Sequence, residues 1–193
     1  MNIKNIDLAL NAFEPYFSFW TGHTQTLLGH LIKSDSFKFS TNSTKVVLPD
    51  EDHLDIEYVK GDKPFTLSLY HGLAGSAHAD YIRRSANIAF SLGWNIILVN
   101  HRGARGPTQS RKSYHSGRGE DAEAVLLWAR DQFPQTTQVA LGFSMSGSIL
   151  LNLLTERYGK HQPDYAIIVN APLNLATAAE LLTKGFSKIY DYR

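Results

Sequence analysis

Residues 138–154, QVALGFSMSGSILLNLL, constrain the fold of this 193-residue chain more than any other stretch. A short run of β-formers, Gln138 to Leu141, gives way to small residues from Gly142 to Gly147. It then becomes an apolar helical face made by Ile149, Leu150, Leu153 and Leu154. The pattern reads as strand, tight turn, helix, with Ser144 at the turn. Lifting a serine hydroxyl clear of the backbone at such a turn needs a bend so sharp that bulky neighbours collide, and here the neighbours two positions away are Gly142 and Ser146. Ser146 departs from the usual G-x-S-x-G, adding a hydroxymethyl at the crowded position, and Gly147 is placed to relieve part of the strain. The alternative for Ser144 is an ordinary turn serine that caps a helix N-terminus.

The remaining chain supplies a frame for that turn. Residues 37–59 read as an antiparallel hairpin with one wet face, its acidic tip Asp50-Glu51-Asp52-His53 taken as a solvated turn. From Phe65 onward strands alternate with helices. FTLSLYHG is a strand, Asp80–Leu92 a helix, Trp94–Asn100 a buried strand and Glu120–Phe133 a helix. Thr137–Leu141 is a strand leading to the turn helix, Asp164–Pro172 a strand and Leu173–Lys184 a helix. Such alternation implies right-handed crossovers and a mainly parallel sheet with helices on both faces. The expected organisation is an N-terminal arm, residues 1–34, rich in aromatics (Phe13, Tyr16, Phe17, Phe19, Trp20) and lying over the domain as a strap, followed by an α/β domain over 35–193.

Composition removes several function classes. Nineteen basic and eighteen acidic residues leave a net charge of +1 without a long basic run, so there is no electrostatic footprint for nucleic acid. Cysteine is absent, which excludes disulfides, thiolate metal sites and cysteine nucleophiles. His23 and His30 lie seven apart without a third ligand in the usual pattern, so no metal site is expected. The N-terminus lacks the features of a signal peptide, and no apolar stretch approaches the length that spans a bilayer. A soluble, cytoplasmic protein without stable membrane insertion is the expectation. No G-x-G-x-x-G follows a strand and no Walker pattern occurs, so nucleotide binding has no support.

In a parallel sheet function gathers at the carboxyl ends of the strands. Four such ends can be read: His71-Gly72-Leu73-Ala74-Gly75-Ser76, Asn100-His101-Arg102-Gly103, Gly142-Phe143-Ser144 and Asn170-Ala171-Pro172. At the first, His71 is expected to hold its loop by hydrogen bonds rather than to shuttle protons. Gly72 and Gly75 can be read simply as loop positions that need positive φ.

The blocks GHTQTLL, HGLAGSAHADYI, NHRGARG, SYHSGRGEDAEAVLLW, GFSMSGSILLNLL and NAPLNL, in this order, resemble the YheT-like branch of the α/β-hydrolase superfamily. The resemblance implies a serine carboxylesterase or acyl hydrolase with a Ser-Asp-His triad and neither metal nor organic cofactor. Its substrate would be a small-molecule or lipid-like ester. It places the nucleophile on Ser144. The HGL segment resembles the loop that supplies one oxyanion donor in such enzymes, the other coming from the residue after the nucleophile, so the backbone N–H groups of Leu73 and Met145 form the expected pair. The resemblance also puts His71, Arg102, Tyr114 and His115 at the rim or floor of the same cleft.

The triad order in that superfamily is Ser, then Asp or Glu, then His. Only 49 residues follow Ser144, and His161 is the sole histidine among them. His161 lies beyond a helix of about 13 residues, roughly 20 Å away at the wrong sheet edge. Asp164 sits at that same edge and Asp191 near the end of the chain. The expectation is therefore a chain that lacks the triad acid and base and looks truncated. Two readings compete: a serine esterase of which this is the N-terminal part, or a non-catalytic remnant that keeps the elbow and oxyanion loop. A triad rebuilt from His101 or His115 with Asp121 or Glu120 is a third, which no spacing supports. A truncated sheet would expose an edge near Asp164 to Asn170 and invite self-association.

Overall fold

The computed structural model describes residues 21–22, 24–25, 31–108, 110 and 113–184. The chain divides into two units, residues 1–33 and 34–193. In the first, Thr21 and Thr24 cap one another: each backbone N–H donates to the other's Oγ1 at 3.1 Å. The aromatic arm, together with His23 and His30, lies outside the described residues.

The second unit is built on a sheet with a strand buried on both faces, aliphatic from Ile96 to Val99. Strand β4 (Asn95–Val99, NIILV) is buried at every position, as a strand covered on both faces must be. Its side chains alternate between two cores. Ile96 and Leu98 join Leu67 and Leu69 of β3 (Phe65–Tyr70) against Ile82, Ala86 and Ala89 of helix α1 (Asp80–Ser91). Ile97 and Val99 face the opposite way. They join Leu54 and Ile56 of β2 (His53–Val59), then Ala122, Val125, Leu126 and Ala129 of α2 (Gly119–Gln132), and Ile149, Leu150 and Leu153 of α3 (Met145–Leu154).

The remaining elements are β1 (Asn42–Val47), β5 (Thr137–Phe143), β6 (Tyr165–Val169) and α4 (Leu175–Leu182). The strand order is β1-β2-β4-β3-β5-β6. The hairpin strands β1 and β2 pair antiparallel, and β2 joins β4 antiparallel, whereas β4, β3, β5 and β6 run parallel. The expected mixed, mainly parallel sheet with helices on both faces is therefore present. From β3 the chain steps to one side for β4 and crosses to the other side for β5, so β3 lies between them. This reversal opens a crevice at the carboxyl ends of β3 and β5, where ligands of α/β proteins bind. β6 forms the edge of the described sheet, and its Tyr165 and Ile167 are exposed. No helix among the described residues is long and apolar enough to cross a membrane.

One sequence expectation is corrected by the hairpin tip. Asp52 is 1% exposed, and both Asp50 and Asp52 reach the Arg102 guanidinium, at 2.7 and 3.3 Å. The sequence pattern of a polar turn cannot distinguish water from a buried cation as the partner of its carboxylates. Here Arg102, 4% exposed and just beyond the end of β4, supplies that cation.

Helix α2 shows how the apolar period sets the face. Ala122, Val125, Leu126 and Ala129 recur at i, i+3, i+4 and i+7 and are buried, while the adjacent Leu127 is 43% exposed. We expect Leu126→Ala to cost roughly 2–5 kcal/mol in urea unfolding. Leu127→Ala should cost less than about 1 kcal/mol. Equal losses would mean that the helix is rotated from the face described.

Candidate active site

The turn between β5 and α3 is strained at one residue. Ser144 has φ 53° and ψ −120°, a conformation that side-chain-bearing residues rarely adopt and that costs on the order of 1–3 kcal/mol. Its N–H donates to Val169 O at 2.8 Å, and its carbonyl accepts the Gly147 N–H at 2.9 Å, so the turn is pinned to β6 on one side and to α3 on the other. Gly142 is required by space: a Cβ there would stand 2.7 Å from Ser146 O. Gly147 has a different task from the relief of strain expected of it, since a Cβ would meet Ala171 Cβ at 2.7 Å and Ile168 Cγ2 at 2.9 Å. Its missing side chain lets α3 pack on the end of β6. Ser144 itself is exposed, and among the described residues no side chain hydrogen-bonds its Oγ.

Ser146, the departure from the usual pattern, is buried and bonded beneath the turn. Its hydroxyl donates to His71 O, and His101 Nε2 lies 2.6 Å from its Oγ and 3.1 Å from the same carbonyl. A carbonyl only accepts, so with the serine proton committed to it, His101 carries its proton on Nε2. His71 takes the other tautomer: its Nδ1–H donates to Gly72 O at 2.7 Å and its Nε2 accepts the His101 N–H at 3.3 Å. An accepting Nε2 makes the His71 ring neutral. Burial, reinforced by the neighbouring His71, pushes the His101 imidazole down to about 3. Burial likewise lowers His71.

The loop after β3 lies against the turn, with a Cβ built on Gly72 3.1 Å from Ser144 Cβ and 3.7 Å from its Oγ. Neither Gly72 nor Gly75 has positive φ; that conformation falls on Ala74, at 55°. The two glycines are needed for close approach instead, Gly72 to Ser144 and Gly75 to the Tyr81 hydroxyl, 2.9 Å from a Cβ placed there. Within the loop, Gly72 N–H donates to Tyr81 Oη at 3.0 Å, Ala74 N–H to Tyr114 Oη at 3.1 Å and Gly75 N–H to Gly72 O at 3.1 Å. Among the described residues no acceptor meets the N–H of Leu73, or that of Met145 at the start of α3.

The other sequence candidates are distributed differently. Arg102 turns away from the serine into a buried ion cluster, held by both oxygens of Asp121 at 2.7 Å and by Asp50. Its hydrogen bonds to Asp121, then to Asp50, raise the guanidinium further above its ordinary range, and Arg102 in turn lowers the Asp50 carboxyl. Tyr114 stacks on His101, ring centroids 5.4 Å apart at 5°. His115 is exposed, its Nδ1 accepting the Gly117 N–H at 3.0 Å. The groups considered for a rebuilt triad are therefore engaged elsewhere: His101 under the turn, His115 in its own loop, Asp121 on Arg102. Glu120 sits exposed at the start of α2. His161 pairs with Glu123 at 2.7 Å, and Asp164, at the amino end of β6, accepts the Gln138 N–H at 2.7 Å. Asp191 lies outside the described residues. Sequence reasoning missed Tyr81 and the Ser146 hydroxyl; the hint was a hydroxyl where the turn pattern usually has glycine, with a histidine ending each of two adjacent strands.

A family model describing the alpha/beta hydrolase fold matches residues 66–183, which hold the turn, the β3 loop and four parallel strands. The chain belongs to the α/β-hydrolase family. As an α/β-hydrolase it is 33% identical over 185 residues to YheT of Escherichia coli (strain K12), whose name proposes it as an esterase; the match covers 93% of this chain and 54% of YheT. It is 26% identical over 145 residues to human phospholipase ABHD3, covering 70% of this chain and 35% of that protein. The chain thus spans about half the length of YheT and about a third of ABHD3. Among solved structures, the Pyrococcus furiosus esterase Pf2001 aligns with a TM-score of 0.67 at 18% identity, over 83% of this chain and 66% of that one. An α/β serine hydrolase without lid from Xanthomonas campestris, XC6422, aligns with a TM-score of 0.53 at 23% identity, over 64% of this chain and 59% of that one. At these identities the structural likeness speaks to the fold.

The buried histidines of this α/β-hydrolase give its stability a pH signature. The folded-state pKa of His101 lies below its ordinary 6.5, so the unfolded chain binds the extra proton and stability falls as pH drops from about 6.5 toward 3. Between pH 7 and pH 5 His101 should account for a loss of about 2 kcal/mol, with His71 adding in the same direction. The lowered carboxylates, Asp50, Glu57 and Glu123, lose their contributions at lower pH, below about 4.5. Urea unfolding at pH 7, 6 and 5 reads this slope, which should flatten in His101→Gln. An unchanged slope in that variant would contradict the neutral, buried assignment.

Proposed function

We propose that this chain carries the nucleophile and oxyanion side of a serine hydrolase site for carboxylic esters. Ser144 Oγ is the nucleophile, and the Leu73 and Met145 N–H groups are the oxyanion donors. The observation that supports this most is the combination at one strand end of a strained, exposed serine with two backbone amides that lack acceptors among the described residues. In the reaction, Oγ attacks the ester carbonyl carbon and loses its proton to a base, the carbonyl oxygen becomes an oxyanion, and its collapse expels the alcohol. Water then attacks the acyl-serine and releases the acid. Each oxyanion donor of this kind contributes about 2.7–4 kcal/mol to lowering the barrier. The esterase and phospholipase names of the relatives support a small-molecule or lipid-like ester. The reading needs neither metal nor organic cofactor. Self-association through the exposed β6 edge accompanies it as a liability of an uncovered strand.

A second reading, a binding remnant without turnover, is favoured by a specific observation: no histidine or carboxylate among the described residues hydrogen-bonds Ser144 Oγ. An unassisted serine is a weak nucleophile at neutral pH. The two readings separate on one experiment with an alkyl fluorophosphonate. The probe forms an Oγ–P bond, expels fluoride and leaves the hydroxyl proton to base or solvent. We expect slow modification of the 193-residue chain, confined to Ser144 by peptide mass and absent from Ser144→Ala. Any aryl-ester hydrolysis should stay within roughly 10³- to 10⁴-fold of the uncatalysed rate, the acceleration that binding and oxyanion stabilisation alone retain, and be nearly unchanged by that substitution. Rapid, stoichiometric modification would mean that a base already serves Ser144, and would overturn the remnant reading. Modification at Ser146 or Ser148 in preference to Ser144 would overturn both.

A further inference from the structure

We propose that Tyr81 and Tyr114 are positioning residues that set the Leu73 N–H as the oxyanion donor by holding the amides on either side of it. The proposal rests on the reading of Ser144 and Leu73 given above, and deepens it. Four consecutive amides follow the His71 peptide in the β3 loop. Gly72 is taken by the Tyr81 hydroxyl, Ala74 by the Tyr114 hydroxyl and Gly75 by the Gly72 carbonyl, which leaves Leu73 alone without an acceptor among the described residues. A short loop whose flanking amides were free could rotate its peptide planes and turn the Leu73 N–H away from the serine. With two fixed hydroxyls as acceptors, rotation breaks one hydrogen bond or the other.

Each tyrosine is in turn fixed by a ring contact to a different strand end. Tyr81, on the first turn of α1, lies 4.7 Å from the ring of Phe143, the residue before Ser144. Tyr114 lies flat on His101, whose Nε2 is held under the same turn. The loop's position relative to Ser144 is thereby transmitted through aromatic contacts from β5 and β4. Gly75 supplies an independent sign that the Tyr81 contact is built: a side chain at that position would collide with the Tyr81 hydroxyl at 2.9 Å, although the backbone there does not itself require glycine. Burial raises the Tyr81 phenol, so the hydroxyl stays protonated and cannot become a charged competitor for the oxyanion. Neither tyrosine touches the reacting atoms in this arrangement. Their effect on the chemistry passes through the Leu73 peptide.

The test uses the ¹⁵N-labelled 193-residue chain with the fluorophosphonate probe, comparing wild type with Tyr81→Phe, Tyr114→Phe and the control Tyr165→Phe on exposed β6. In wild type the Leu73 amide should exchange rapidly with solvent, then shift downfield and become protected once Ser144 is phosphonylated. In each clamp variant the partner amide, Gly72 or Ala74, should lose protection. The Leu73 shift in the adduct should shrink, and the Ser144 modification rate should fall about three- to tenfold, the worth of one positioning hydrogen bond. Tyr165→Phe should match wild type. A purely structural role would move the unfolding midpoint without altering the Leu73 shift of the folded adduct. Clamp variants that keep the wild-type Leu73 shift and modification rate overturn the positioning proposal while leaving the Ser144–Leu73 reading intact. A wild-type adduct that leaves the Leu73 amide unmoved overturns that reading and the clamp with it.

Discussion

The strained turn at Ser144 is the constraint on which the surrounding structure depends. A conformation costing on the order of 1–3 kcal/mol persists only if its neighbours leave no cheaper alternative. Here they do so from three directions. β6 accepts the Ser144 N–H through Val169 O, α3 returns the Gly147 N–H to the Ser144 carbonyl, and the backbone of Ser146 closes on Gly142 too tightly for any side chain. Relaxing φ at Ser144 would therefore lose bonds to both β6 and α3. The apolar face of α3, with Ile149, Leu150 and Leu153 in the core, keeps the helix from shifting to accommodate a relaxed turn.

Beneath that turn lies a buried polar group of residues that joins three strands. Ser146, His71 and His101 come from the exits of β5, β3 and β4, and their hydrogen bonds close on one carbonyl, that of His71. Buried polar atoms are tolerated only when each finds a partner, and a neutral pair of histidines in opposite tautomers satisfies donor and acceptor without introducing charge. Burial disfavours the charged form of both rings, and for His101 the neighbouring His71 adds to it, so both are displaced toward the neutral form. The nearby Arg102 cluster solves the opposite problem. Its charge is permanent, so it is surrounded by carboxylates, and the hairpin tip is drawn down to provide two of them.

Much of the fold was legible because periodicity reports burial. The aliphatic run of residues 96–99 marked a buried strand, the order of strands and helices marked a mainly parallel sheet, and the pattern over residues 37–59 marked the hairpin that precedes it. Ser144 was legible as a candidate because a turn of this sharpness restricts residue size, which Gly142 displays directly, whereas the β3 loop was legible only through the resemblance of its HGL segment. What could not be read was any partner set by tertiary approach. Asp50 and Asp52 looked like a solvated turn because nothing local announces Arg102, fifty residues on. Gly75 looked like a backbone requirement, whereas its reason is the Tyr81 hydroxyl on another element. Ser146 looked like a tolerated defect in a pattern, and is a hydrogen-bonded anchor.

The placement of these groups also separates two demands that a hydrolase site must meet. Oxyanion donors act only if they are rigid before the substrate arrives, because reorganising them during the reaction would consume the stabilisation they provide. The two proposed donors follow adjacent strands, Leu73 in the loop after β3 and Met145 at the start of α3 just beyond β5. The serine hydroxyl is different: exposed and without a side-chain partner among the described residues, it is free to turn toward whichever group accepts its proton. On the proposed reading, charge stabilisation and activation of the nucleophile would therefore be set by different groups, so that the first could be measured separately from the second.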